Sequence, residues 1–189
     1  MSDQVNLPEK FTTANNLFAF KLFQDVFSKH KNKNFFISPL SLAINLSLLL
    51  NGAKDNTAKE IAESLNLTAF EQDNINFYYQ QLIQELSLSD EHTQLFIANS
   101  LWGTNWVNFY EEFLKQGEEF YEAKLSKIDF SKPSSTKIIN DWVKDKTKGK
   151  IPKIIDQIDV NTILIVLNAI YFKAEWQKKF NKEKTKLSG

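Results

Sequence analysis

Residues 161–176 read Asn-Thr-Ile-Leu-Ile-Val-Leu-Asn-Ala-Ile-Tyr-Phe-Lys-Ala-Glu-Trp, and the run from Ile163 to Phe172 is apolar on both alternating faces. Such a run is typical of a strand that is covered on two sides inside a large sheet. One amide, Asn168, interrupts it, and an unpaired amide in such a place would cost about 1 to 3 kcal/mol. We therefore expect Asn168 to have hydrogen-bond partners. Because only the segment up to Gly189 follows, we also expect the neighbouring strand to be missing.

The flanking sequence predicts further strands and several helices. Residues 95–102 are again apolar on both faces and predict a second inner strand, while residues 125–130 predict a short strand near an edge. Apolar residues at spacings of three and four predict helices over residues 14–29, 39–51, 57–65, 68–86, 108–120 and 134–148. This order favours an α+β fold, and the sequence leaves the pairing of the strands open.

Cap residues mark the expected helix ends. The expected N-caps are Ser38, Thr57, Thr68, Asn108 and either Ser134 or Ser135, and the expected stops are Gly52 and Gly149. Two polar residues, Ser41 and Asn45, lie one turn apart on the otherwise apolar second helix. We expect them to tie that helix to neighbouring backbone.

Composition excludes several kinds of partner and leaves the compartment open. The 23 acidic residues balance the 23 basic ones, and every basic residue is lysine, so the guanidinium fork that reads nucleic acid is absent. We expect no nucleic-acid partner. No apolar run approaches the roughly 20 residues of a membrane span, and the first residues resemble no secretory leader. The sequence therefore predicts a soluble, cytoplasmic protein with no membrane partner, or an extracellular one if its start is incomplete.

The sequence contains no pattern that indicates catalysis or a resident cofactor. It has no cysteine, and its two histidines, His30 and His92, fall in charged turns where a solvated side chain is the usual case. Glu111 and Glu112 are neighbours on a predicted helix, so their side chains diverge by about 100° and cannot act as a catalytic pair. We expect no enzyme activity, no catalytic residues, no metal site and no cofactor.

Four blocks of sequence resemble the N-terminal half of a serpin, in the order and spacing of that family. They are Asn34-Phe-Phe-Ile-Ser-Pro-Leu-Ser-Leu with Asn51-Gly-Ala, Ala98-Asn-Ser-Leu-Trp, Ile139-Asn-Asp-Trp-Val with Thr147-Lys-Gly-Lys-Ile, and Leu167-Asn-Ala-Ile-Tyr-Phe-Lys-Ala-Glu-Trp176. The resemblance implies an incomplete serpin fold, with a helical bundle and strands of the large central sheet. It implies that residues 1–189 form a single partial domain without the reactive-loop half.

The resemblance also implies roles for individual residues. Ser38, Ser41 and Asn168 match the polar "shutter" under the point where the family's central sheet opens. Trp176 matches the tryptophan of the "breach", where the reactive loop begins to insert. The 134–148 helix matches the helix that lies across the sheet. The reactive-centre loop itself is absent from these residues.

By resemblance, the full-length form is a suicide-substrate inhibitor of serine or cysteine proteases, whose cleaved loop inserts as a new strand. Its partner would be a target protease that this sequence does not identify. One alternative is a non-inhibitory serpin relative that acts as a binding or chaperone-like protein. Another is a truncated product with no activity of its own, whose unpaired apolar strand promotes self-association.

Overall fold

The computed structural model describes residues 7–87 and 92–184, which form six α-helices, three strands and one 3₁₀ turn. The helices are α1 (Glu9–Lys29), α2 (Pro39–Leu50), α3 (Asp55–Ser64), α4 (Gln72–Leu86), α5 (Glu111–Tyr121) and α6 (Pro133–Lys146). The strands are β1 (Thr93–Thr104), β2 (Lys124–Ile128) and β3 (Leu164–Ala174), and the 3₁₀ turn is Lys182–Lys184. No helix among the described residues is long and apolar enough to cross a membrane.

The three strands form one mixed sheet in the order β2-β1-β3. β2 runs parallel to β1, which the connecting helix α5 makes possible. β3 runs antiparallel to β1 along almost its whole length, from Ala174 opposite Thr93 to Leu164 opposite Gly103. The predicted strands are confirmed, and β2 lies at an edge as expected.

Apolar side chains cover the sheet on both faces. On one face, α1, α2, α4 and α5 build a core that includes Phe11, Ile44, Leu48, Ile75 and Tyr79. On the other face, α6 contributes Ile139, Trp142 and Val143, which pack with Trp102 of β1 and Ala169 of β3. The rings of Trp102 and Trp142 meet edge to face, with centroids 6.0 Å apart. The sheet is therefore the middle of three layers, and α6 forms one outer layer.

Two of the expected caps are confirmed. The hydroxyl of Ser38 accepts a hydrogen bond from the backbone N–H of Ser41, and Pro39 takes the first position of α2. Gly149 adopts φ +79° and donates its N–H to the carbonyl of Lys144 at 2.7 Å. The preceding Lys148, also left-handed at φ +49°, donates its N–H to the carbonyl of Asp145 at 3.1 Å, so the two residues together end α6.

The other expected caps are wrong. α3 begins after Lys54, α4 after Glu71, α5 after Tyr110 and α6 after Lys132, so none of the N-caps proposed at Thr57, Thr68, Asn108, Ser134 and Ser135 is used. Asn108 instead accepts a hydrogen bond from Lys127. α1 begins at Glu9, five residues before the predicted start, because Phe11 is buried in the core and extends the helix towards Pro8.

Gly52 does not supply a left-handed stop. α2 ends at Leu50, and the following Asn51 stays in the right-handed region with φ −63°. A Cβ added to Gly52 would lie 3.0 Å from the ring of Phe113, so the glycine lets α5 approach the end of α2. Close packing, rather than backbone conformation, explains this residue.

Candidate functional site at the free edge of the sheet

β3 is an edge strand in the part of the chain that the structure describes. It pairs with β1 on one side, and no described strand pairs with its other side. Its alternate residues pack in the helical core and against α6, as the two-faced pattern predicted, but only Ala169 is buried. Phe172, near the end of the strand, is 66% exposed. Residues suited to an inner strand therefore lie beside an open position in the sheet.

Asn168 has the partner that the sequence predicted. Its Nδ2 donates to Oδ1 of Asn99, directly opposite on β1, at 2.7 Å. Asn99 in turn donates from Nδ2 to the backbone carbonyl of Tyr121 at 2.6 Å. Sequence reasoning missed Asn99, although it interrupts a doubly apolar strand as Asn168 does. The two amides form a polar link between the edge strand and the end of α5.

The side-chain oxygen of Asn168 has no hydrogen-bond donor among the described residues. This atom, Oδ1, is also buried. A buried acceptor without a donor costs free energy on the order of 1 to 3 kcal/mol. β3 therefore carries a buried side-chain acceptor without a described donor as well as an outer side without a described partner strand.

The structure does not join the other predicted site residues to Asn168. The hydroxyl of Ser41 donates to Oγ of Ser38 at 2.9 Å, and no hydrogen bond among the described residues connects this pair to Asn168. Trp176 follows β3, is 69% exposed, and meets the Phe180 ring edge to face, with ring centroids 5.4 Å apart. Asn45, which we expected to bind neighbouring backbone, has a buried Oδ1 without a described partner. The shutter and breach roles stay predictions.

Asn140 of α6 fixes the segment that leads into β3. Its Nδ2 donates to the carbonyl of Ile155 at 2.8 Å, and its Oδ1 accepts the N–H groups of Ile154 and Ile155 at 2.8 and 3.0 Å. One side chain thus satisfies three backbone groups of a segment that has no regular structure of its own. The asparagine belongs to the quoted block Ile139-Asn-Asp-Trp-Val, but its bonding role was not predicted.

A buried amide cluster lies behind the sheet, between α2, α4 and α5. Asn51 and Asn76 exchange hydrogen bonds through their amides at 3.1 and 2.8 Å, and Gln72 donates to both residues. The hydroxyl of Tyr121 donates to Oδ1 of Asn76 at 2.9 Å. Through Tyr121, this cluster shares a residue with the Asn99 and Asn168 pair.

Tyr79 makes the stability of this helical layer dependent on pH. Burial raises the pKa of its hydroxyl to about 12, and the hydroxyl donates a hydrogen bond to Oδ1 of Asn15 at 2.9 Å. A raised folded-state pKa means that the stabilisation is complete below pH 10 and is lost as pH rises through about 12. We expect Tyr79 to contribute a loss of about 3 kcal/mol in the free energy of unfolding over this range.

Urea unfolding at a series of pH values checks this expectation. Lysine titration affects the wild type and Tyr79→Phe alike, so the difference between the two proteins isolates the tyrosine. We expect the wild type to lose stability more steeply than Tyr79→Phe above pH 10. Equal slopes for the two proteins would show that the Tyr79 hydroxyl ionises as readily in the folded state as in the unfolded state.

The described residues contain no group of three or more His, Cys, Asp or Glu side chains that could hold a metal ion. The features left to interpret are the open edge of β3, its asparagine pair and the helix packed across the sheet. A family model described as serpin (serine protease inhibitor) matches residues 13–188. The chain belongs to the serpin family.

Individual serpins show the same relationship. The chain is 38% identical to human Serpin B3, over 92% of this chain and 49% of that protein. It is 36% identical to the leukocyte elastase inhibitor of Equus caballus, over 94% of this chain and 48% of that protein. The crystal structure of human thyroxine-binding globulin matches with a TM-score of 0.83 and 34% identity, over 93% of this chain and 48% of that one.

The chain spans about half the length of the serpins that it matches. The fold is accordingly an N-terminal portion of the serpin fold, with helices and a mixed sheet, as the sequence predicted. The relatives include a protein named as an inhibitor of leukocyte elastase.

Proposed function

We propose that this chain is the N-terminal part of an inhibitor of serine or cysteine proteases, and that the full-length form adds a strand at the free edge of β3. The observation that carries the proposal is the edge strand itself, which has no partner strand on one side and leaves the buried Oδ1 of Asn168 without a donor among residues 7–87 and 92–184. Membership of a family described as serine protease inhibitors supports the same activity. Residues 1–189 would then form one partial domain.

Strand addition would correct the features that leave this edge incomplete. A strand alongside β3 would pair its free N–H and C=O groups, each worth about 0.5 to 1.5 kcal/mol net. It would also cover part of Phe172, which is now 66% exposed. Strand addition is thus favourable at this edge for reasons that the described residues supply.

The predicted site residues have definite places in this proposal. Asn168 belongs to the strand that would receive the new neighbour, and Trp176 follows the end of that strand. Ser38 and Ser41 begin α2, which packs behind β3. We propose that the serines and Asn168 act as the shutter and that Trp176 marks the breach, with a target protease as the partner.

Incubation of the full-length form with proteases tests the proposal. The panel would contain trypsin-like, chymotrypsin-like and elastase-like serine proteases and a papain-like cysteine protease. We expect at least one protease to form a covalent complex that survives denaturant on a gel. A protease whose nucleophile has been blocked serves as the control and should form none. Cleavage of the full-length form without any complex, across the whole panel, would contradict the proposal.

A non-inhibitory binding or chaperone-like protein is the second candidate, favoured by the similarity to thyroxine-binding globulin. The same panel separates it from the first, because a denaturant-resistant complex excludes it.

A truncated product without activity is the third candidate, and a transcript that stops after the codon for Gly189 would favour it. Self-association through β3 and a cytoplasmic location also stay proposals, and fractionation of cells that express a tagged chain tests the location.

A further inference from the structure

Lys148 lies outside α6 and outside the sheet, and its side chain contacts three residues of strands β1 and β3. Its Nζ is 4.7 Å from the ring centroid of Phe96 and 5.0 Å from that of Tyr171. The same Nζ donates to Oε1 of Gln94 at 2.8 Å. Phe96 and Tyr171 lie directly opposite each other on β1 and β3, and their rings are 6.0 Å apart. One ammonium group thus bridges the two strands at a pair of aromatic side chains whose rings are tilted by 36° to each other.

The backbone of Lys148 supports a specific role for the side chain. Its φ is +49°, in the left-handed region that glycine and asparagine occupy far more readily than lysine. The next residue, Gly149, also has a left-handed backbone, which glycine adopts without steric cost. Helix termination explains this backbone, because the N–H of Lys148 donates to the carbonyl of Asp145 at 3.1 Å at the end of α6, but glycine rather than lysine is the usual residue at such a position. Such an outlier is a reason to ask what the residue does.

The position of these contacts connects α6 with the free edge. Phe96 follows the same alternation as Ala98 and Trp102, which face α6, so the aromatic pair lies on the α6 face of the sheet. Lys148 comes two residues after the last residue of α6. Tyr171 belongs to the strand with the open side. The contacts therefore join the C-terminal end of α6 to the strand that would receive a new neighbour.

We propose that Lys148 fastens the end of α6 to the β1–β3 pair and thereby controls how readily a strand is added beside β3. This inference rests on the proposed function for its second half. A strand added to β3 would place a side chain about 4.5 to 5.5 Å from Tyr171, on the face that Lys148 occupies. The ammonium group holds the Tyr171 ring and the end of α6 together, so an incoming side chain must compete with that contact.

Hydrogen exchange and inhibition measured on the full-length form test the two halves separately. The variants are Lys148→Gln, which removes the positive charge, and Lys148→Arg, which retains it and the attraction to the rings. Lys150→Gln is the matched control, since Lys150 lies two residues away, is exposed and makes none of these contacts. Exchange of amides in residues 144–151 reports the fastening, and the number of inhibitor molecules consumed per protease inhibited reports strand addition.

We expect Lys148→Gln to raise the exchange rate of these amides about fivefold, as loss of cation–π contacts at an exposed site implies. Lys148→Arg and Lys150→Gln should stay within about twofold of the wild type. We also expect fewer molecules of the Lys148→Gln variant than of the wild type to be consumed per protease inhibited, because faster strand addition traps the protease before it escapes.

Equal exchange in Lys148→Gln and Lys150→Gln would overturn the fastening. Faster exchange in Lys148→Gln with unchanged consumption of inhibitor would overturn the control of strand addition. Absence of any complex with the wild type would refute the proposed function, and with it the control of strand addition. The exchange rates would then still decide whether Lys148 fastens α6.

Discussion

Phe172→Lys should weaken self-association of the 189-residue chain on the order of tenfold, equivalent to about 1.4 kcal/mol of association free energy. Phe172 is 66% exposed on β3, whose outer side has no partner strand among the described residues. An apolar edge strand of eleven residues is a template for pairing with another chain. A lysine on such an edge opposes pairing, because the ammonium must stay hydrated and two copies repel each other.

Phe36→Lys is the matched control for this prediction. Phe36 is 96% exposed, more than Phe172, and lies in the segment before α2, outside the sheet. Sedimentation velocity over a range of protein concentrations would measure association of the wild type and both variants. An equal decrease in the two variants would mean that exposed apolar surface in general drives association. A wild type that is monomeric at every concentration would also contradict the prediction.

The strands could be predicted because their signal is local. Residues 163–172 and 95–102 are apolar at successive positions, and both runs form strands that are covered on two faces. The order β2-β1-β3 could not be predicted in the same way. Pairing depends on contacts between distant residues, such as Leu101 with Leu125 and with Val166, which the pattern within one strand does not specify.

Most of the predicted N-caps are wrong, because a residue with cap chemistry does not by itself fix where a helix starts. Thr57 and Asn108 have the right chemistry for an N-cap, yet α3 and α5 begin at Asp55 and Glu111. Cap chemistry is worth about 1 kcal/mol, whereas burial of a large apolar side chain contributes about 1.5 to 3 kcal/mol. In α1, burial of Phe11 accounts for the early start, whereas α3 has no buried residue, so packing does not explain where it begins. Ser38 was predictable because Pro39 fixes the first helical position next to it.

The candidate site was predictable only in part. A lone amide in a doubly apolar strand indicated that Asn168 has a partner, but the pattern did not identify Asn99, 69 residues away. The contact of Lys148 with Phe96 and Tyr171 was also beyond sequence reasoning. A lysine near a helix C-terminus is explained equally well by the helix dipole. Only the arrangement in space distinguishes a general electrostatic role from a specific contact.

Asn76→Leu should lower the free energy of unfolding by about 3 kcal/mol or more, because it leaves buried polar groups without partners. Leucine matches asparagine closely in size, so the change removes hydrogen bonds without opening a large cavity. The fully buried hydroxyl of Tyr121 would lose its acceptor, and Oδ1 of Asn51 would lose the closer of its two donors. Urea denaturation at low protein concentration, followed by helical circular dichroism, measures the loss.

Asn74→Leu is the control, since Asn74 is exposed on the same helix and its replacement should change stability by about 0.5 kcal/mol or less. Tyr121→Phe tests the mechanism, because phenylalanine lacks the hydroxyl that Asn76→Leu leaves unpaired. The loss of unfolding free energy in the double variant should therefore be smaller than the sum of the losses in the two single variants, by about 1 kcal/mol or more. Additive losses would show that the Tyr121 hydroxyl finds another partner when Asn76 is removed. In that case the amide cluster would not connect α4 to the end of α5, where Asn99 contacts the backbone of Tyr121.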